Sequence, residues 1–142
     1  VSYDPGEAWC AEWMEHADIL FMNEDELRMF TGKQRVEEGL ETLNPRILVI
    51  TKNRGGCIIK CDNECITVPS FGIEAIDTTG AGDAFDAGFI YGYLNGLSLK
   101  ECGFLGVGCA SIKVQHVGAR GGICDIHKIM EFVDGIKKKL RN

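Results

Sequence analysis

The sequence lacks a long apolar run: no stretch is long enough and free enough of charge to cross a bilayer, and no basic start leads into an apolar core as in a secretory leader. It also lacks basic excess. Fifteen Lys and Arg stand against twenty-one Asp and Glu, a formal charge of −6, which argues against a nucleic-acid or anionic-membrane partner. The basic run Lys137-Lys138-Lys139 reads as the solvated last turn of a helix. Paired C-x-x-C spacing is missing as well. Seven cysteines are present, but Cys57, Cys61 and Cys65 are four apart, which is not zinc-site spacing. The odd count and dispersal favour a reducing cytosol, and Cys61 and Cys65 are expected as a pair of buried thiols facing each other in a hairpin. There is no initiator Met, so a fragment of a longer chain is expected.

What remains is 142 residues of ordinary apolar content, enough for one domain with a core and no internal repeat or low-complexity linker. After the turn Asp4-Pro5-Gly6, a helix is expected over 7–16. A buried strand follows at 18–22, then a helix opened by Asn23 and closed by Gly32, a short helix in 35–43 and an apolar strand at 46–51. The segment GGCIIKCDNECITV predicts hairpin strands over about 56–60 and 65–68, turning at Asp62-Asn63-Glu64. Beyond Asp83 the pattern is helical: one helix from Asp83, a second capped by Ser98 and running toward Val117, and a last one over 125–140. Strands alternating with helices before a hairpin predict an α/β fold, its sheet largely parallel with an antiparallel edge.

The segment DTTGAGDAF, residues 77–85, carries the chemistry. In Thr79-Gly80-Ala81-Gly82-Asp83, small side chains let successive backbone N–H groups converge on an anion at the positive end of a helix. No Walker A lysine is present, and Phe85 stands where a dinucleotide fingerprint needs its third small residue. An acid is the wrong charge for holding a phosphate, but the right group to take a proton from an attacking hydroxyl while amides hold the transferring phosphoryl. A plain N-cap role for Asp83 is the competing reading.

From Asp77 to Phe89 the run resembles the second signature of the ribokinase family, the PfkB-type carbohydrate and nucleoside kinases. The resemblance implies a ribokinase-like three-layer αβα sandwich of which residues 1–142 are the C-terminal nucleotide-binding and catalytic half. It implies ATP-dependent, Mg²⁺-requiring transfer to a hydroxyl of a sugar or related small molecule. Asp83 would be the general base, and the amides of Gly80, Ala81 and Gly82 the anion hole. NEDE resembles the family's N-x-x-E motif, with Asn23 near the phosphates and Glu26 organising Mg²⁺ through water, although Asn at N-cap with Glu at N3 is equally a capping box. TKNRGG resembles the nucleotide-contacting T-x-G-x-x-G loop through Thr51 and Gly56, with Asn53 replacing a glycine as a residue tolerant of left-handed backbone. CASIKVQHVGARGG resembles the adenine wall, with Ala110, Val114, Gly118 and Ala119 on the purine, or else a helix whose small residues admit neighbours. Some members bind a monovalent cation at this turn, which implicates Asp77 and Thr79 in holding K⁺. His16, His116 and His127 belong to no motif and are expected at surface or edge.

The family's N-terminal half, with its substrate contacts, is not in this sequence, and Asp4-Pro5-Gly6-Glu7 lacks the Asn and Arg of its D-P-N-x-R segment. The expected partners are therefore that missing half and a sugar or nucleoside substrate, in the cytoplasm, with a homodimer left open and with no activity expected from the fragment alone. A nucleoside (adenosine-type) kinase is the alternative acceptor reading, and a non-catalytic nucleotide-binding half-domain is the alternative of another class.

Overall fold

A computed structural model describes residue 14 and residues 16–53 and 55–141. The expected helix over 7–16 lies almost entirely outside them. The chain divides into two compact units, residues 1–67 and 68–142.

In the first unit, Ile19–Asn23 (β1), Ile47–Thr51 (β2), Cys57–Cys61 (β3) and Glu64–Val68 (β4) form one sheet in that order, with β4 ending at the unit boundary. β1 and β2 run parallel, whereas β2 and β3 are antiparallel. The sheet is thus mixed, a parallel pair continued by an antiparallel strand. Period-two alternation sorts the apolar residues. Leu20, Met22, Leu48 and Ile50 join one core with Met14, Leu27, Val36 and Leu40, the last three from helices Glu24–Thr31 (α1) and Val36–Thr42 (α2). Phe21, Val49 and Ile59 stand in register on the opposite face and are also buried. Lys60 Nζ donates to the carbonyls of Leu40 and Leu43 at 2.6 and 3.0 Å, satisfying acceptors at the end of α2 that no cap serves.

The hairpin turns on Asp62 and Asn63 alone, and Asp62 takes the left-handed φ of 52° that a tight turn demands. The buried thiol pair is not formed: Cys61 is half-buried, Cys65 is exposed, and both are free.

The second unit is built on helices Ala81–Leu94 (α3), Leu99–Lys113 (α4) and Ile126–Leu140 (α5), with α4 packed on both others. The α3–α4 approach is set by glycine. A methyl at Gly88 would lie 2.6 Å from Cys109 Sγ and 2.8 Å from the Leu105 carbonyl oxygen, so only a bare backbone fits. Phe71 stacks on Phe104 and meets Phe132 at a tilt, with ring centroids 6.1 and 5.9 Å away.

α3 begins at Ala81, two residues before its expected start, because Gly80 adopts a left-handed φ of 78° as N-cap. α4 stops at Lys113, short of Val117, because the Val114 carbonyl accepts the N–H groups of Ile76 and Asp77 at 2.7 and 3.1 Å.

Candidate active site

The signature turn lies wholly within the second unit. Its first aspartate is a bracket. Asp77 Oδ1 accepts the Thr79 N–H at 2.9 Å and Oδ2 accepts the Gly118 N–H at 2.7 Å, tying the turn to the segment after α4. These two amides, then the Thr79 hydroxyl and more weakly Lys113, hold the carboxyl down to about 2. The side chains expected to offer K⁺ their oxygens thus also serve hydrogen bonds within and around the turn.

The backbone then climbs into α3. Ala81 N–H donates to the Thr78 carbonyl at 3.0 Å, and Ala84 N–H to that of Gly80 at 3.0 Å. Ala81 is therefore a correction to the expected anion hole, since its amide closes the turn. The N–H groups of Gly80, Gly82 and Asp83 have no acceptor among the described residues. Gly82 is exposed, and a Cβ placed on it would meet nothing within 4 Å. Gly80 lies against the segment after α4: a methyl there would sit 3.1 Å from the Ala119 oxygen.

Asp83 is not the N-cap. It stands at the third residue of α3, is exposed, and makes no hydrogen bond or ion pair among the described residues. A carboxylate so placed gains from the helix dipole without engaging any cap donor. One turn thus displays three unengaged amides and one unengaged carboxylate.

Val114, Gly118 and Ala119, expected against a purine, do something sequence reasoning missed: through one carbonyl, one N–H and one backbone contact they shape the 76–80 turn. Ala110 is half-buried on α4, its carbonyl accepting the Val114 N–H. Lys113 was also missed. A lysine between Ile112 and Val114, in a run with no other charged residue, was the available signal.

In the first unit, Asn23 and Glu26 form the capping box of α1: Asn23 Oδ1 accepts the Glu26 N–H at 2.9 Å and Glu26 Oε2 the Asn23 N–H at 2.7 Å. Glu26 Oε1 has no partner among the described residues, so one carboxylate oxygen remains for a water-bound Mg²⁺, which needs few protein ligands. Among the described residues no group of three metal-binding side chains forms a dedicated cage. Thr51 Oγ1 reaches the Met22 carbonyl at 3.5 Å. Asn53 is not left-handed. Its N–H and side-chain amide donate to Glu24 and Asp25 at 3.3 and 3.2 Å, and the positive φ falls on Gly55 and Gly56.

These features agree with what the chain is similar to. Residues 3–125 match the model of the pfkB family carbohydrate kinases, and the chain belongs to that family. A nucleoside kinase of Methanothermobacter thermautotrophicus is 36% identical over 133 residues, covering 88% of this chain and 43% of the relative. An uncharacterized sugar kinase of Archaeoglobus fulgidus is 35% identical over 137 residues, covering 87% and 53%. The crystal structure of the Methanocaldococcus jannaschii nucleoside kinase, an archaeal member of the ribokinase family, superposes with a TM-score of 0.81 at 30% identity, covering 95% of this chain and 48% of that one. The ribokinase-like fold is therefore established, and the chain spans about half the length of the relatives it matches.

Proposed function

We propose that this chain is the phosphate-donor and catalytic half of an ATP-dependent kinase that phosphorylates a hydroxyl of a sugar or related small molecule. The observation that carries the reading is the pairing, on one turn, of a carboxylate and backbone donors that have no partner among the described residues. Asp83 accepts the proton of the attacking hydroxyl. The Gly80 and Gly82 amides, with that of Asp83, receive the charge that builds on the phosphoryl oxygens, aided by the N-terminus of α3. Asp77 has a separate task, which is to hold the turn in shape. In the first unit, Glu26 is the carboxylate through which water-bound Mg²⁺ would be organised, and Asn23, Thr51, Asn53 and Gly56 belong to the nucleotide side. Mg²⁺ arriving with ATP would supply charge neutralisation at the phosphates. The substrate contacts are assigned to the N-terminal half missing from this sequence.

Replacing Asp83 with Asn in the complete enzyme keeps the shape and removes the base. Turnover is expected to fall by about 10²–10⁴-fold, the ordinary worth of general-base catalysis, with Mg·ATP affinity unchanged. A variant that keeps most of its turnover sinks the assignment. Nucleoside acceptors are a second reading, favoured by the nucleoside kinase relatives and by the absence of the Asn and Arg after Asp4-Pro5. Initial rates on a panel of sugars and nucleosides decide between them. Binding of ATP without turnover on any acceptor would instead point to a non-catalytic nucleotide-binding module.

A further inference from the structure

Lys113 is 3% exposed, a rare state for a lysine. Its ammonium donates to the His116 carbonyl at 3.0 Å, and no carboxylate lies within ion-pair distance of it among the described residues. Burying a charge against one neutral carbonyl costs free energy that a methionine of similar length would not incur. A reason for the charge is found in what the adjoining segment does. Val114 gives its carbonyl to the Ile76 and Asp77 N–H groups, while Gly118, four residues on, gives its N–H to the Asp77 carboxylate. Ala119 then lies against Gly80. Residues 114–118 thus form a clasp closed on Asp77 at both ends, and the carbonyl that Lys113 holds is near its middle.

Neighbouring charge explains the choice further. The carboxylate inside the clasp is stabilised by Lys113 as well as by its amides, so the ammonium both braces the segment and favours the ionised Asp77 it must bind.

We propose that Lys113 is a positioning residue for the phosphoryl-transfer turn: by holding the His116 carbonyl it keeps 114–119 closed on Asp77 and Gly80, and so fixes where the Gly80 and Gly82 amides point. This rests on the function proposed above. Lys113 itself touches none of the reacting groups assigned there.

The test uses the complete enzyme with Lys113→Met, Lys113→Gln and Lys113→Arg. Gln keeps a donor for the carbonyl but loses the charge, and it serves if the Met variant does not fold. Amide hydrogen exchange is the readout independent of catalysis. In the Met variant the Ile76, Asp77 and Gly118 amides are expected to exchange about tenfold faster or more, with a smaller rise in the Gln variant, whose shorter side chain keeps only a neutral donor, while amides of 103–110 keep their protection, as local opening requires. In kinetics, kcat should fall by about 10²-fold, the cost of misplacing reactive groups by about 1 Å, with KM for ATP little changed. Arg should restore most of both. Unchanged exchange at Gly118 and Asp77, or an even loss of protection along the whole of α4, overturns the proposal. A wild-type enzyme with no turnover on any acceptor overturns the kinase reading instead, and the exchange pattern still decides the role of Lys113.

Discussion

Gly82→Ala separates the fold of the turn from its use. Gly82 has helical φ, lies in the first turn of α3, and a methyl placed on it meets nothing within 4 Å. By backbone propensity the substitution should stabilise the helix, by up to about 1 kcal/mol. In the longer complete enzyme that corresponds to a rise in Tm of about 2 °C. The same methyl, however, stands beside the amide proposed to hold a phosphoryl oxygen and would crowd that oxygen. Displacing that oxygen by about 1 Å costs about 10²-fold in rate, equivalent to about 2.7 kcal/mol of transition-state stabilisation. The expected variant is thus more stable and less active. Gly80→Ala is the contrasting control. Its φ of 78° imposes about 1–2 kcal/mol of left-handed strain on alanine, and its Cβ would press to 3.1 Å from the Ala119 oxygen. That variant loses stability and activity together. The assay is a thermal melt beside kcat/KM for ATP in the complete enzyme. A Gly82→Ala enzyme with wild-type kcat/KM would show that no phosphate approaches that amide, and the anion hole would have to be abandoned.

Two further outcomes follow from packing and protonation. Gly88→Ala drives a methyl into the α4 backbone at Leu105, so the overpacking cost of about 1–3 kcal/mol should exceed the helix-propensity gain of about 1 kcal/mol. Gly135→Ala on α5, with open space around it, should show only that gain, and thermal melts in which both shift alike would discredit the α3–α4 contact. Asp77 has a folded pKa of about 2 against an ordinary 3.8. Its stabilisation is therefore complete above about pH 4 and lost as pH falls toward 2, with Asp125 at the N-cap of α5 contributing in the same direction. Asp77→Asn should thus be less stable than wild type at pH 7, with the gap closing in acid, and a gap that persists to pH 2 would refute the carboxylate's role.

Legibility followed the range of the interactions. The start of α1 at Asn23, its end at Gly32, the Ser98 cap of α4 and the Asp125 cap of α5 could all be read because each is decided by partners three or four residues away. The early start of α3 was hidden: a left-handed Gly80 backed by Ala119 depends on residues 39 positions apart. So was the end of α4, where Val114 exchanges the helix for Ile76 and Asp77. Asn53 went the same way. A rule about left-handed asparagine was reasonable locally, but carboxylates 28 and 29 positions upstream bind this one. At the site, residue identities were legible and the availability of donors was not. Nothing in GAGD says that the Ala81 amide closes a turn while those of its neighbours stay open.

The two aspartates that bound the turn show why it needs both. A carboxylate that must shape backbone has to accept N–H groups, and each bond it accepts stabilises its charged form and makes it a poorer proton acceptor. Asp77 has taken that course, with amides on both oxygens and a pKa near 2. That makes it a weaker base than a carboxylate whose oxygens accept no N–H groups. A carboxylate that must take a proton from substrate needs its oxygens free and accessible, so it cannot be the one that organises the turn. Asp83 meets that condition, exposed in the first turn of α3 with no side-chain partner among the described residues. Five residues of mostly small side chains between them let one acid shape the turn and leave the other free for the role proposed for it. Exchanging their environments, rather than their identities, would therefore remove the activity.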